Sequence, residues 1–489
     1  MCSASANDNP LFLALDQGGG SSRALVFDRH AGVVAKGQQS VGVNNGSNGW
    51  VEQDADELVE SIITVIGQAA RQLGADINRL AAAGLATQRS NVVCWDRRDG
   101  SALSPAISWQ DRRAYQWMNQ FRAHNNEIRQ STGLLVSAHY GVSKLKWCLE
   151  NLPAVRKAQE NGYLAYGPLA SYLVFRLASP SRNVVDPANA SRTLLWNINQ
   201  HDWDRQLLTL FDIPGEYLPA CVATHADYGV INIEDHVVPL TIVTGDQSAA
   251  LYAYGQPDPE KVYINMGTGV FIQRPTGRHQ VDVPRLLCSV VYQNENDSEY
   301  VVECTVNGAS NALVEVEAEL GIAADLAEQQ LGNWFRQYTD PPLFLNGVAG
   351  LGAPFWVPDF PSRFIGEGSP EEKIVAVAES ILFLVQVNLA LLAQRYTPSK
   401  EIMVTGGLAN SDILCQKLAN LIGIPVYRPV ECEATARGVG YLTARFPQTW
   451  HEKQPGQWFF VNDDAGLRAR YQRWHETMME ELKKHKAAI

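Results

Sequence analysis

The chain opens with two short apolar runs that flank a turn of small and polar residues. The first run ends in Asp16, the turn reads QGGGSS, and the apolar run RALVF follows it. Runs of this length bounded by glycine predict a strand, a turn and a second strand, and GVVAKGQQSV predicts a third strand. The same order of strand, glycine turn and strand returns in KVYINMGTGVFIQRPTG, which begins at Lys261. The chain is therefore predicted to contain two related halves.

Helical periodicity marks several segments between the strands. Asp54 precedes ADELVESIITVIGQAARQL, and Glu57 stands where a capping box places its second residue. Further helices are predicted after the strand EIMVT and its Gly-Gly turn, and within ECEATARGVGYLTARF. The most apolar segment, ESILFLVQVNLALLAQRY from Glu379, is interrupted by Gln386 and Asn388. Because it is short for a membrane span, we predict a buried helix and no membrane insertion.

Polar residues follow two of the predicted buried strands. LAAAGLAT is followed by Gln88, Arg89 and Ser90, and PLTIVTG is followed by Asp246 and Gln247. Ligands of α/β proteins meet side chains at such carboxyl ends of strands. These residues are therefore predicted to line a site, and the structural alternative for the aspartate is a plain helix N-cap.

Length and composition narrow the function classes. A chain of 489 residues exceeds what one hydrophobic core usually supports, so two or three domains are expected, with a cleft between domains as a natural site. With two related halves, we predict the domains 1–253 and 254–489. The formal charge of −12 argues against nucleic acid or an anionic membrane as a partner and favours small molecules. The eight cysteines lack metal-like spacing, and MCSASANDNP does not resemble a signal peptide. A cytoplasmic protein with reduced thiols is predicted.

The first glycine turn is a candidate phosphate site. Asp16 ends the strand and faces backbone N–H groups that the glycines leave unobstructed, a setting that suits phosphate and a nearby Mg²⁺. A glycine-rich hairpin without a ligand is the structural alternative. The chain contains no G-x-x-x-x-G-K-[ST] motif, and GGGSSR lacks the third glycine of the dinucleotide fingerprint. P-loop enzymes and Rossmann dehydrogenases are therefore disfavoured.

A second hairpin and a later Gly-Gly turn strengthen the phosphate interpretation. Two such hairpins in one chain are typical of an ATPase with duplicated domains that hold the nucleotide between them. The candidate nucleotide-binding residues are Gly18, Gly19, Gly20, Ser21, Ser22, Arg23, Gly267, Thr268, Gly269, Gly406, Gly407 and Asp412.

In these motifs the chain resembles the FGGY carbohydrate kinases, and among them the glycerol kinases most closely. DQGGGSSRA resembles the family's DQGTTSSRA, and GWVEQDADEL, AISWQDRRA, ANASRTLLWNI, GDQSAAL, GTGVF, GLGAPFW and EATARGVGYL follow in the family's order. The resemblance covers nearly the whole chain. It implies an α/β fold of two actin-like (ribonuclease H-like) domains that close over MgATP and a small polyol or sugar. By analogy it also implies a homodimer or a homotetramer.

The resemblance implies roles for single residues. Asp246 resembles the general base that accepts the proton of the attacking hydroxyl, and Asp16 resembles the acid that organises Mg²⁺. Thr268 and Gly269 resemble phosphate contacts, and the adenosine moiety is expected near Gly407 and Asp412. The substrate site is expected to include Arg89, Ser90, Trp109, His139, Asp246, Gln247 and Phe271.

Two substrate positions depart from the glycerol kinase pattern. Those kinases have Arg-Glu where this chain has Arg89 and Ser90, and His139 stands at the position of their substrate tyrosine, with Tyr140 next to it. Because serine is shorter than glutamate, we expect a substrate larger than glycerol, such as a four- or five-carbon polyol or a ketose. A histidine without a ligand role is the structural alternative.

Three functions fit these features to different degrees. An ATP-dependent kinase for a terminal hydroxyl is favoured, because Asp16 and Asp246 are both present. The second possible function is that of a sensor, in which a relative of these kinases binds nucleotide but has no transfer activity. An actin-like or heat-shock-type ATPase without a small-molecule acceptor is disfavoured, since TQRS, SWQD and GDQS would then have no evident purpose. In the first hairpin Gly19 and Gly20 stand where glycerol kinases have two threonines, which leaves fewer hydroxyl donors for phosphate.

Overall fold

The computed structural model describes residues 9–46, 49–430, 433–451 and 455–488, so Cys2 and Cys432 lie outside the described residues. The strands are β1 (Leu11–Gln17), β2 (Ser21–Phe27), β3 (Val33–Ser40), β4 (Asn44–Asn45), β5 (Val51–Gln53), β6 (Leu80–Thr87), β7 (Val92–Asp96), β8 (Ala106–Ile107), β9 (Leu164–Pro168), β10 (Ala178–Ser179), β11 (Val184–Val185), β12 (Trp196–Asn197), β13 (Asp202–Trp203), β14 (Ala220–Cys221), β15 (Val230–Ile233), β16 (His236–Gly245), β17 (Lys261–Met266), β18 (Val270–Gly277), β19 (Leu287–Gln293), β20 (Ser298–Val306), β21 (Leu343–Leu345), β22 (Arg363–Ile365), β23 (Glu401–Thr405), β24 (Val426–Pro429) and β25 (Gly456–Phe459).

The α-helices are α1 (Ala55–Leu73), α2 (Tyr115–Asn119), α3 (Asn125–Thr132), α4 (Gly141–Asn151), α5 (Pro153–Glu160), α6 (Leu169–Leu177), α7 (Pro187–Ala190), α8 (Arg205–Phe211), α9 (Asp246–Ala250), α10 (Ser310–Leu320), α11 (Ala324–Gln337), α12 (Pro370–Ala393), α13 (Asp412–Ile422), α14 (Ala434–Thr443) and α15 (Ala465–Ala488). Short 3₁₀ helices are found at Gly74–Arg79, Arg122–His124, Ser191–Thr193, Gly215–Tyr217, Gly407–Asn410 and Gln448–His451.

Two seven-stranded sheets share one topology. The first has the order β10-β15-β16-β6-β1-β2-β3, and the second has the order β19-β20-β18-β17-β23-β24-β25. In the first sheet β2 pairs antiparallel with β1 and β3, while β6 runs parallel to β1 and β16 parallel to β6. In the second sheet β18, β20, β23 and β24 take the same relations around β17. The two related halves expected from the repeated hairpins are confirmed.

The apolar helix expected in the C-terminal half is the core helix α12. It begins earlier than the apolar run, at Pro370, with a capping box formed by Ser369 and Glu372. By length and composition α12 is apolar enough to cross a membrane, but 78% of its apolar window is buried inside the protein. Its side chains join one hydrophobic cluster with strands of the second sheet.

The start of helix α1 differs from the expected capping box. Asp54 caps the helix and accepts hydrogen bonds from the backbone N–H groups of Asp56 and Glu57. The Glu57 carboxylate does not complete the box, because it accepts from the N–H of Gly42 at 2.9 Å. It therefore ties the helix to the end of β3 instead of to its own cap.

Helix α14 connects the two halves. It follows the second sheet in the chain, yet it packs on β1, β2 and β6 and on α9 of the first half. A Cβ atom at Gly438 would lie 1.8 Å from the carbonyl oxygen of Ala249, so the close approach requires glycine. The Trp450 ring then packs on Phe27, with ring centroids 5.3 Å apart. The C-terminal half thus returns to the N-terminal sheet next to the strand ends.

Candidate active site

Three neighbouring parallel strands of the first sheet bring acidic and basic side chains together at their carboxyl ends. Asp16 of β1 lies opposite Ala86 of β6, and Ala86 lies opposite Thr244 of β16. The residues that follow β6 and β16 therefore extend from the same edge. Arg89 Nε lies 3.8 Å from an Asp246 carboxylate oxygen. The residues that the sequence singled out at two separate strand ends are neighbours in space.

Asp246 lies at the first position of α9, and its side chain is partly buried, with 25% of its surface exposed. Its carboxylate accepts a hydrogen bond of 2.7 Å from the backbone N–H of Gln247. Burial raises the pKa of Asp246, and the charge of Arg89 acts in the opposite direction. Asp246 therefore has a greater proton affinity than an exposed carboxylate, and a cation lies beside it.

Asp16 is only 5% exposed and shares its surroundings with other carboxylates. Burial, followed by repulsion from Asp246, raises the pKa of Asp16 to about 7, while Arg23 opposes the shift and Glu433 adds to it. Arg23 Nη1 lies 3.6 Å from Asp16 and 3.5 Å from Glu433. A single guanidinium thus serves two carboxylates, and this setting favours an additional cation.

The first hairpin is open at its tip. The Gly18 N–H donates to the Ser21 carbonyl at 3.0 Å and closes the turn. A Cβ atom at Gly20 would have nothing within 4 Å, and one at Gly19 would lie 3.7 Å from a Gln88 side-chain oxygen. None of the three glycines has a positive φ angle. The turn itself does not require glycine at Gly19 or Gly20, and the missing side chains leave free space.

Ser22 differs from its neighbours in the hairpin. Its side chain is fully buried, and its hydroxyl lies 2.7 Å from the hydroxyl of Ser61 on α1. The Ser61 hydroxyl in turn donates to the Leu58 carbonyl. The Ser22 hydroxyl is therefore engaged on the helix side of the sheet, whereas Ser21 remains partly exposed.

The second hairpin joins β17 to β18 with similar geometry. The Gly267 N–H donates to the Gly269 carbonyl at 2.9 Å, and Thr268 is exposed at the tip. A Cβ atom at Gly269 would lie 2.8 Å from the Val306 carbonyl, and Gly406 has a φ of 93°. Both glycines are thus required by close backbone approach or by conformation.

The candidate adenosine residues lie at the start of α13. Gly407 is open, with nothing within 4 Å of a Cβ atom. Asp412 is the first residue of the helix, and its carboxylate accepts a 2.6 Å hydrogen bond from Arg428. This ion pair fixes the carboxylate beside the Gly-Gly turn.

Trp109 and His139 lie together next to the strand ends. The backbone N–H of Trp109 donates to the Asn91 side-chain oxygen at 2.7 Å. The ring centroids of Trp109 and His139 are 5.3 Å apart. The Lys144 ammonium donates to all three carbonyls of residues 138–140. Burial and the surrounding cations lower the pKa of His139 well below its ordinary value. The imidazole is therefore neutral and can either donate or accept a hydrogen bond.

Ser90 occupies an unusual position in this pocket. Its φ of 67° lies in the left-handed region, which is uncommon for a residue other than glycine. The side chain is 3% exposed, and within the described ranges no protein atom hydrogen-bonds its hydroxyl. A buried hydroxyl without a protein partner, on a backbone of unusual conformation, can form a hydrogen bond with a bound molecule. Phe271 of β18 is partly exposed on the second sheet.

The sequence motifs assign no role to two charged residues of this region. Arg192 stands within ANASRTLLWNI, and Glu303 stands in a strand that contains no motif. The Glu303 carboxylate contacts the guanidiniums of both Arg89 and Arg192. A contact between residues so far apart in the chain has no local sequence signal. For Glu303, the available hint was a charged residue inside an otherwise apolar strand.

The match to family models decides what kind of protein this is. The N-terminal domain of the FGGY family of carbohydrate kinases matches residues 11–252, and the C-terminal domain of that family matches residues 262–446. The chain belongs to the FGGY family of carbohydrate kinases.

Relatives and solved structures agree with this assignment. The FGGY kinase described here is 35% identical to a glycerol kinase of Acinetobacter baylyi over 443 residues, which are 88% of this chain and 89% of that protein. A glycerol kinase of Alkalilimnicola ehrlichii is 35% identical over 444 residues, with the same coverage. The crystal structure of Plasmodium falciparum glycerol kinase with ADP superposes with a TM-score of 0.86 at 22% identity, covering 97% of this chain and 98% of that one. A xylulose kinase from Rhodospirillum rubrum gives 0.83 at 19% identity, covering 96% and 98%.

These matches confirm the expected fold and reaction class. The fold is an α/β fold of two actin-like domains, and the enzyme is a phosphotransferase with an alcohol acceptor. It is a sugar or polyol kinase of the glycerol kinase type, so its substrate is a small molecule.

Proposed function

We propose that this kinase transfers the γ-phosphoryl group of ATP to a terminal hydroxyl of a four- or five-carbon polyol or ketose, with Asp246 as the base. The observation that carries the proposal is the meeting of Asp16, Arg89 and Asp246 at the edge formed by three parallel strands. Phosphoryl transfer depends mainly on alignment and on charge stabilisation. Asp246 as base, Arg89 as cation and Asp16 as metal-binding acid would together provide the alignment and the charge stabilisation.

Asp246 is proposed to orient the acceptor hydroxyl and to take its proton late in the reaction. Its raised pKa favours proton uptake, while the charge of Arg89 favours the ionised form that can accept the proton. Arg89, Gln247 and Trp109 are proposed to bind the hydroxyls of the acceptor, and Phe271 is proposed to close the pocket from the second sheet.

The nucleotide is proposed to lie between the two hairpins. Backbone N–H groups at the glycine tips and the exposed Thr268 hydroxyl suit the phosphates, and the start of α13 suits the adenosine. The proposed contacts are Gly18, Gly19, Gly20, Ser21, Arg23, Gly267, Thr268, Gly269, Gly406, Gly407 and Asp412. Ser22 is left out, because its hydroxyl is engaged with Ser61.

Asp16 is proposed to hold Mg²⁺ together with the nucleotide phosphates. In the described part of the chain no cluster of three or more His, Cys, Asp or Glu could hold a metal ion. A site of one carboxylate plus phosphates is a usual arrangement for Mg²⁺. The raised pKa of Asp16 fits such a site, because a cation would stabilise the ionised carboxylate against the burial and the repulsion from Asp246 that raise the pKa. When bound, Mg²⁺ neutralises charge on the transferred phosphoryl group.

The substrate size is inferred from Ser90 and its neighbours. Its buried hydroxyl has no hydrogen-bond partner among the described residues, and serine is shorter than the glutamate that the glycerol kinase pattern has at this position. A longer acceptor supplies additional hydroxyls for Ser90 and for the neutral His139. We also propose a cytoplasmic enzyme and, by analogy with the family, a homodimer or a homotetramer.

An ADP-release assay across glycerol, tetritols, pentitols and ketoses tests the proposal, with product identification by mass. We expect a higher kcat/KM for at least one four- or five-carbon acceptor than for glycerol. Equal or better kcat/KM for glycerol than for every larger acceptor would contradict the substrate proposal. Nucleotide binding without phosphorylation of any acceptor would instead support the sensor alternative.

A further inference from the structure

Glu303 is a buried carboxylate whose contacts come from both halves of the protein. It lies on β20 and is 5% exposed. Arg89 Nη1 lies 3.1 Å from one oxygen, and Arg192 contacts the other. From its own sheet, Gln273 donates to the first oxygen at 2.9 Å and Ser289 to the second at 3.1 Å. Both oxygens are thus fully engaged, which is the condition under which a buried carboxylate is tolerated.

The contact decides which carboxylate holds Arg89. The guanidinium lies within hydrogen-bond distance of Glu303, whereas its Nε is 3.8 Å from Asp246. A separation of 3.8 Å is too long for a hydrogen bond. Glu303 therefore makes the strong contact, and the Asp246 oxygen that does not accept from the Gln247 N–H remains available to an acceptor hydroxyl. Had Arg89 bonded Asp246 directly, the base would be blocked.

Two basic and two acidic side chains meet at this junction. Arg89 lies 3.8 Å from Asp246 and 3.1 Å from Glu303, and Arg192 contacts Glu303. Burial lowers the pKa of both arginines, and the charge of Asp246 opposes this shift in each case. Removing the Glu303 charge leaves two guanidiniums facing one carboxylate, so Arg89 would be drawn toward Asp246.

The backbone around Glu303 is anchored to the N-terminal half. The Cys288 N–H of β19 donates to the Gly133 carbonyl at 2.9 Å, and the Thr224 N–H donates to the Gln293 carbonyl at 2.9 Å. β20 also pairs with β18, which carries Phe271. Glu303 is thus held at a fixed place relative to the pocket rather than on a loop.

We propose that Glu303 is a positioning residue that holds Arg89 against the acceptor substrate and keeps Asp246 free to accept its proton. This inference rests on the proposed kinase function. Ser90 carries no charge, so the carboxylate partner of Arg89 comes from the C-terminal half. Glu303 acts through Arg89 and does not touch the substrate.

The first test is Glu303→Gln, which keeps the shape and removes the charge. We expect KM for the best polyol or ketose to rise about tenfold or more and kcat to fall about tenfold, with KM for ATP within about twofold of wild type. Glu303→Asp should recover part of the loss. Glu299→Gln is the matched control, because Glu299 lies on the same strand and accepts from Tyr252 at 2.7 Å, away from Arg89. It should behave like the wild type.

The second test is a double-mutant cycle with Arg89→Gln, in which both members of the pair become neutral. If Glu303 acts through Arg89, Glu303→Gln should change kcat/KM by less than about twofold in the Arg89→Gln background. The double variant also avoids an unpaired charge on Arg89, so it keeps the test open if Glu303→Gln alone folds poorly.

Two results would overturn the inference. One is wild-type constants for Glu303→Gln in an enzyme that phosphorylates a polyol, which would leave the proposed function standing. The other is an equal loss with and without Arg89, which would show that Glu303 does not act through Arg89. A wild-type protein inactive on every acceptor would overturn the proposed function itself, and this inference with it.

Discussion

The Arg89 side chain lies flat across Gly245, the residue that precedes Asp246. A Cβ atom at Gly245 would lie 2.5 Å from both Cγ and Cδ of Arg89, well inside van der Waals contact. The absence of a side chain at Gly245 therefore lets the guanidinium pass from its strand end to Glu303, next to Asp246. This relationship explains why the glycine of the GDQS segment belongs to the site although it makes no polar contact with a ligand.

Gly245→Ala should displace Arg89 and weaken acceptor binding. We expect KM for the acceptor to rise about tenfold or more while KM for ATP stays within about twofold, because the hairpins are not touched. Steady-state kinetics with each substrate varied in turn measures this. Gly67→Ala is the control, since a Cβ atom at this helical position makes ordinary contact and alanine favours helix. Unchanged acceptor KM in Gly245→Ala would contradict the proposed position of Arg89.

We expect the Gly20→Thr variant to contact the nucleotide phosphates more strongly than the wild type does. The site has space for a side chain at Gly20, and a threonine hydroxyl there would add a charge-assisted hydrogen bond to phosphate. Such a bond is worth about 1.5 to 3 kcal/mol. We expect a higher kcat or a lower KM for ATP, with Gly20→Val as the control of similar shape without the hydroxyl. Loss of activity in both Gly20→Thr and Gly20→Val would contradict this expectation and show that the loop is needed in its open form.

Ser90→Glu should shift substrate preference toward glycerol. The longer carboxylate would fill the space beside Arg89 and accept hydroxyl protons of a short acceptor. We expect the ratio of kcat/KM for glycerol to that for the best larger acceptor to rise by about tenfold or more. Ser90→Gln separates bulk from charge, and Ser90→Ala removes only the hydroxyl. A ratio that stays constant across all three variants would place the size filter elsewhere.

Asp16→Asn should stabilise the nucleotide-free protein at alkaline pH and abolish turnover. Asp16 titrates near 7 in the folded protein and near 3.8 when exposed, so unfolding releases a proton between these values. Stability is therefore lost as pH rises from about 4 to about 7, with a maximum cost of roughly 4 kcal/mol. Thermal unfolding at pH 5 and pH 8 should show a larger increase in midpoint for the variant at pH 8. An equal increase at both values would contradict the raised pKa.

Much of the fold follows from local pattern. The strands around both glycine turns and helix α1 are marked by apolar periodicity and turn residues, and the structure places them as expected. The common edge of Asp16, Arg89 and Asp246 follows once the strands are parallel, because parallel strands end together. These parts were predictable because they follow from local sequence patterns and from one general rule for parallel strands.

Other parts depend on packing between distant segments. Glu303 and Arg89 are far apart in the chain, and only the joined halves bring them together. The return of α14 to the first sheet, the engagement of Ser22 by Ser61, and the use of Glu57 by Gly42 have the same origin. In each case the side chain or helix has several possible partners, and the tertiary packing determines which one it contacts.

The most direct test of the account is the rate of ADP formation by Asp246→Asn with the best acceptor, measured beside the wild type and with ATP affinity determined separately. The account predicts a fall in kcat of about 10² to 10⁴ with ATP binding unchanged, because the proton acceptor is lost while the nucleotide site is intact. A kcat within a few-fold of the wild type would contradict the assignment of Asp246 as the base.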